Sequence, residues 1–366
     1  MSCGLEGFKK KTVKNVHGTL KFASAGLVSA FLFGAATPAS KFLIHDIQPQ
    51  SLAGLLYLGA AVGVFPVAMR KGSIRWPWHA GRRTIWLLTG AIVLGGVLGP
   101  LLLLMALQFA NAGSVSLWLN LEFVATLMLG HFLFREHLTL RGWIAAGGTV
   151  IAALLLVGGN EGGGVIPALL IVCGCICWGF DNHFTALIDG IPPTQTTFWK
   201  GVVAGSVNLM AGIAIDGGPN LPVSIFVALL VGVFSYGISI TLYVMAAQGL
   251  GAIRSQMIFS TAPFFGLLLS VTVLGEAFTS GQAIAAGLMA ASLMILFSEK
   301  HVHFHRHNAM SHQHAHRHDG LHHDHHHEGL ASTVSHSHWH EHKPIAHNHK
   351  HWPDLHHRHD HEESDV

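Results

Sequence analysis

Apolar residues run along most of the chain in blocks of about 20, the length a helix needs to cross a bilayer's hydrocarbon core. Short breaks with turn chemistry separate the blocks: "HDIQPQ", "RKGSIRWPWHAGRR", "NAG", "REHLT", "GGNEGGG", "DGIPP", "DGGPNLP", "QGLG" and "GEAFTS". The pattern predicts ten membrane-spanning helices, near 22–44, 50–69, 83–107, 112–134, 140–158, 164–188, 194–215, 222–247, 250–274 and 280–298. Near residue 300 it stops. Residues 301–366 carry 24 of the 30 histidines, all but those at 17, 45, 79, 131, 137 and 183. Little there could build a core, so 299–366 is expected to be a disordered tail.

Composition sharpens this picture. Only 11% of residues are charged, against about 25% in a soluble domain. Four cysteines, three of them clustered in "CGCIC", are too few for a disulfide framework. Residues 1–21 form a basic segment that runs into a full-length span without a cleavage pattern, so no signal peptide is expected. Lys and Arg set the orientation. They crowd the N-terminus (Lys9, Lys10, Lys11, Lys14, Lys21) and the breaks after spans 2 (Arg70, Lys71, Arg75, Arg82, Arg83) and 4 (Arg135, Arg141). The breaks after spans 1, 3, 5, 7 and 9 have none. Ten spans then put both termini, and the tail, on the cytoplasmic side of an inner (plasma) membrane.

A repeat lies beneath the hydrophobicity. Shifted by 140 residues, "MALQ" (105–108) meets "MAAQ", "REHLT" (135–139) meets "GEAFT", and "IAAG" (144–147) meets "IAAG". With one gap, "FG" (33–34) meets "WG" (178–179) and Pro49 meets Pro193. Spans 1–5 (22–158) thus recur as spans 6–10 (164–298). Five is odd, so the second copy enters from the opposite face: an inverted repeat, common in secondary transporters. The predicted class is an all-α integral membrane protein of two inverted five-helix repeats plus the tail.

The segments "FGAATPASKFLI", "LGP…MALQFANAG", "LNLE…FLFREHLTLRGWIAAGGTVI" and "FSTAPFFGLLLSVTVLGEAFTSGQAIAAGLMAAS" resemble the EamA-like family of the drug/metabolite transporter superfamily, over about residues 22–298. The resemblance implies a ten-helix carrier of small solutes with a central cavity open alternately to each side. It does not name the solute. The histidine tail lies outside the family pattern.

Glu122 is the polar residue hardest to place. It sits mid-span, where a charge costs at least about 2.5–3.5 kcal/mol, and its repeat partner is Ala262. Helical spacing puts Trp118, Glu122 and Thr126 on one face. Two readings stand: a cavity group that binds a cation or proton, or an interhelix hydrogen bond or ion pair. Lys41 is the expected ion-pair partner, or points inward to an anionic substrate, unless it snorkels outward; Lys200 shares that ambiguity. Asp181 and His183 in "WGFDNHF" form a second polar cluster, with Asn182 between them, and Glu122, Lys41, Trp118, Thr126, Asp181 and His183 are the expected central substrate or coupling set. Glu136 and Glu276 read as helix-end caps, and "CGCIC" as small-residue packing.

No nucleophile elbow, HExxH or phosphate loop is present, so neither an enzyme nor a nucleic-acid partner is expected, and no cofactor is required. The tail histidines His301, His303, His305, His307, His312, His314, His316, His318, His322, His323, His325, His326 and His327 are candidate ligands for divalent Ni, Zn, Co or Cu. Three functions compete: a carrier of a small metabolite with a regulatory metal-binding tail, a divalent-metal transporter fed by the tail, or a membrane metal sensor or scaffold. The partners expected are the lipid bilayer and a small-molecule or metal-ion substrate, and a homodimer fits the sequence.

Overall fold

The computed structural model describes residues 20–70, 74, 76–134, 138–158, 164–188, 191–250, 252–298 and four tail segments within 302–350, with backbone alone at 247–250, 252–254, 297 and in the tail. Two units separate, Met1–Ser298 and Glu299–Val366.

The first unit is helical. Nine described helices are long and apolar enough to cross a membrane. In chain order they are α1 (Leu20–Leu43), α2 (Pro49–Met69), α3 (Arg82–Phe109), α4 (Ala112–Phe132), α5 (Leu140–Val157), α6 (Val165–Ala186), α7 (Pro193–Asp216), α8 (Pro222–Ala246) and α9 (Ser255–Thr272). A tenth, α10 (Ser280–Phe297), is 18 residues long, about 27 Å at 1.5 Å per residue. Helix starts follow the sequence signals. Pro49, Pro193 and Pro222 open α2, α7 and α8, where the missing N–H costs nothing. Thr139 and Thr279, paired by the repeat, cap α5 and α10 through their hydroxyls. The "E-x-x-T" segments therefore mark N-caps, with Gln282 completing a capping box in the second copy.

Two spans in each half are irregular, and the irregularities repeat. In α3 the stretch Ile92–Leu98 is a π-helix, and in α8 so is Gly232–Ile238, 140 residues on. The span α4 breaks into halves, Ala112–Trp118 and Leu121–Phe132. The matching span breaks into Ala252–Phe259 and Ala262–Thr272. Discontinuous backbone at membrane depth must be buried in protein or line a wet cavity.

Packing follows the same symmetry. Gly34 of α1 lies against Ala262, Phe265 and Gly266 of α9, so closely that a Cβ would collide with the Ala262 carbonyl. Its repeat partner, Gly179 of α6, lies against Ala125 and Thr126 of α4, the counterparts of Phe265 and Gly266. Ser29 (α1) and Ser239 (α8) exchange hydrogen bonds through their hydroxyls and carbonyls, at 2.7 and 2.9 Å. The equivalent contact in the other half sets Gly174 against the Gly99 carbonyl. Each half thus lends its first helix to the other, while α2 packs on α7 and α5 on α10. Small residues let these backbones approach, as lipid provides no hydrophobic drive between helices. Large apolar side chains such as Val62, Phe65, Trp86, Leu154 and Phe226 stay on the outer surface.

In the tail, four strands are described: β1 (Val302–His307), β2 (Met310–His316), β3 (His336–His342) and β4 (Ile345–Lys350). β1 pairs antiparallel with β4, and β2 with β3. This differs from the expectation of a segment without regular structure. The "HxHxH" alternation has the period of a strand.

Candidate functional site

Polar chemistry inside the bundle gathers where α6 meets α4 and α7. Glu122 opens the second half of α4. Its Oε1 accepts from Asn182 Nδ2 of α6 at 3.0 Å, and the same amide donates to Thr126 Oγ1 at 3.1 Å. Thr126 in turn donates to the Glu122 carbonyl at 2.9 Å. Glu122 is half-buried and Asn182 is exposed, so the carboxylate does not fill a core position. His183 closes the seam: its Nε2 lies 3.0 Å from the Thr126 carbonyl, and its ring stacks on Phe134.

Asp181 turns the other way. Lys200 of α7 donates to both of its oxygens, at 2.8 and 2.6 Å, and Thr185 adds a third bond at 3.1 Å. The pair is buried, with 16% and 8% of the side-chain surfaces exposed. It sits over the π-helix of α3, where a Cβ on Gly95 would strike the Asp181 carboxylate. A π-helix displaces carbonyls from their usual partners, and side chains take them up. Tyr57 O–H and Trp178 Nε1 both donate to the Gly95 carbonyl, at 2.7 and 3.1 Å, and Asn208 Nδ2 donates to that of Gly96 at 3.3 Å. Asp181 and Asn182 are consecutive in α6, so the two clusters share that helix.

Two expected members lie elsewhere. Lys41 does not meet Glu122. It donates to the carbonyls of Leu107 and Ala110 at the end of α3, at 2.5 and 3.0 Å, where a cation opposes the negative end of the helix. Across the same turn, Glu276 accepts from the Ala112 and Gly113 amides that open α4, at 2.7 and 2.8 Å. The two ends of "FANAG" are thus held by opposite charges. Trp118 does not share a face with Glu122 either. The break at Leu119–Asn120 interrupts the four-residue spacing, and Trp118 is 1% exposed, its Nε1 donating to the Ala153 carbonyl of α5. Thr126 keeps its place one turn from Glu122.

Glu136 lies outside the described residues, as do His301, His318, His322, His323, His325, His326 and His327. His303, His305 and His307 fall in β1, and His312, His314 and His316 in β2. Cys173, Cys175 and Cys177 are free thiols; Cys175 is buried, and neighbouring Gly174 meets α3, as small-residue packing requires. Sequence reasoning left Lys200 and Asn182 outside the central set. A polar residue in an apolar span was the available signal for both. Nothing in the sequence marked Tyr57 or the π-helices.

Comparison with known proteins agrees with the doubled architecture. Residues 20–158 and 165–298 each match the model of the EamA-like transporter family. An "Uncharacterized transporter" of Methanothermobacter thermautotrophicus is 24% identical over 293 residues, covering 74% of this chain and 84% of that protein. A protein of Hamiltonella defensa, "Probable 4-amino-4-deoxy-L-arabinose-phosphoundecaprenol flippase subunit ArnE", is 32% identical over 91 residues, 25% of this chain and 80% of that one. A solved crystal structure superposes with a TM-score of 0.55 at 15% identity, covering 77% of this chain and 96% of that one, a likeness of fold.

Proposed function

Since the chain belongs to the EamA-like transporter family, and is a multi-pass membrane transporter of small solutes, we propose that it moves a solute bearing a cationic group, or exchanges a solute for protons, with Glu122 as the binding group. It works by alternating access, as a secondary carrier with both termini cytoplasmic.

The observation that carries this is an asymmetry. The seams α4–α6 and α9–α1 are related by the repeat, but the acid of the first has no counterpart in the second. Glu122 and Thr126 face Asn182 and His183 on one side, where the counterparts are Ala262, Gly266, Thr37 and Pro38. A fold that needed Glu122 for packing alone would need it twice. Among the described residues its side-chain partner is a neutral amide at Oε1, which leaves the second oxygen for a proton or an ammonium. Asp181, by contrast, is saturated by Lys200 and Thr185 and positions α6.

The test is transport in vesicles loaded with a pH-sensitive dye, across a panel of amines, amino acids and organic cations. Wild-type protein should move at least one solute with a matching proton signal. Glu122→Gln, incorporated to the same level, should lose it. Wild-type flux in Glu122→Gln would overturn the assignment.

A further inference from the structure

The tail is where the chain departs most from its family, since the matched residues end at 298. Its register, beyond its composition, is informative. β2 and β3 pair so that His312 stands opposite His340, His314 opposite His338, and His316 opposite His336. β1 and β4 pair His303 with His349 and His305 with His347. Two residues separate β1 from β2 and two separate β3 from β4, so both ladders follow one hairpin register.

Alternate residues of a strand share a face, and directly opposed residues share it too. Six of the seven histidines of the β2–β3 ladder therefore stand in three consecutive cross-strand pairs on one face, and His342, opposite Met310, shares that face. The interleaved pairs, Ser311 with Glu341, Gln313 with Trp339 and Ala315 with Ser337, belong to the other. A one-residue slip would set every imidazole opposite a non-histidine residue. Opposed residues in such a ladder have Cβ atoms about 4.5–5.5 Å apart. Two imidazoles at that spacing reach one ion with metal–nitrogen bonds of about 2.0–2.1 Å.

We propose that the β2–β3 ladder is a divalent-metal site for Ni, Cu, Zn or Co, because its register sets His312, His314 and His316 of one strand opposite His340, His338 and His336 of the other. Imidazole donors without thiolate suit these late first-row metals over Mg or Ca. Binding and strand pairing are one event, because the metal supplies the cross-link that a two-stranded ribbon without a core lacks. The site is independent of the transport reading: it needs nothing from Glu122.

The test compares two triple substitutions that remove equal numbers of imidazoles from the full chain. One is His312→Asn, His314→Asn and His316→Asn, within the ladder. The other is His356→Asn, His357→Asn and His359→Asn, beyond it. Detergent-purified protein is stripped with chelator and titrated with Ni or Zn by equilibrium dialysis and elemental analysis. The ladder variant should bind its tightest equivalents about tenfold or more weakly, the scale of losing metal-shell contacts, while the distal variant stays near wild type. His336→Asn with His338→Asn and His340→Asn should repeat the ladder result. With Cu as the probe, pulsed EPR should count at least two imidazole nitrogens on the tightest ion, fewer in either ladder variant. Equal loss in ladder and distal variants would overturn the proposal in favour of composition alone, and so would no loss in the ladder variants.

Discussion

At the residue scale, the charges inside the bundle divide into groups that hold helices and one group that is left accessible. Lys200 neutralises a buried carboxylate, so removing it strands Asp181. Lys200→Met should destabilise the protein by about 3–5 kcal/mol, and adding Asp181→Asn should recover much of that. Thermal unfolding in detergent of the two singles and the double closes the cycle, and additive losses would contradict the pairing. Glu276 serves two backbone amides at the start of α4, so Glu276→Ala should cost about 0.5–2 kcal/mol in the same assay. Glu122→Gln behaves differently. Gln can still accept from Asn182, so the melting temperature should stay near wild type while transport is lost.

Elements here are shaped by what presses against them. The α1–α9 crossing leaves no room beyond hydrogen at Gly34, so Gly34→Ala must push α1 off the Ala262 carbonyl. It should lower yield and melting temperature sharply. Gly147 and Gly287 are the control: they are repeat partners in α5 and α10, and a Cβ on either meets nothing within 4 Å. Gly147→Ala should be neutral or stabilising by up to about 1 kcal/mol, read in the same melting assay. At the break in α4 the amides of Leu119, Asn120 and Glu122 still find the carbonyls of Val115, Leu117 and Leu119, and Glu122 sits in the first turn after the break.

Across the whole molecule, neither repeat is self-sufficient. α1 packs against α9 and α8, and α6 against α4 and α3, so each half finishes its core with a helix from the other. Chains 1–158 and 159–366 expressed apart should be degraded. Expressed together they should form a complex that survives detergent extraction, read by affinity pull-down of one half with the other. Stable accumulation of either half alone would contradict the intertwined packing. The tail is a second unit. A chain ending at Ser298 should keep solute transport and lose the metal equivalents assigned to the ladder.

The sequence by itself determined the ten spans and the inverted duplication. Both rest on simple rules: apolar length against bilayer thickness, and a fixed register of polar residues. It also singled out Glu122, because a carboxylate among apolar residues is conspicuous without any structure. Which cation meets which anion was decided only in three dimensions. Lys41 and Lys200 look alike in the sequence, yet one closes a helix C-terminus and the other an aspartate, because partners 66 and 19 residues away are set by helix packing. Trp118 was misplaced for the same reason: a four-residue spacing holds only while the helix is continuous, and the break depends on neighbours. The π-helices and the carbonyls taken up by Tyr57, Trp178 and Asn208 belong to tertiary structure too, since a displaced hydrogen bond is tolerated only where another helix supplies its replacement.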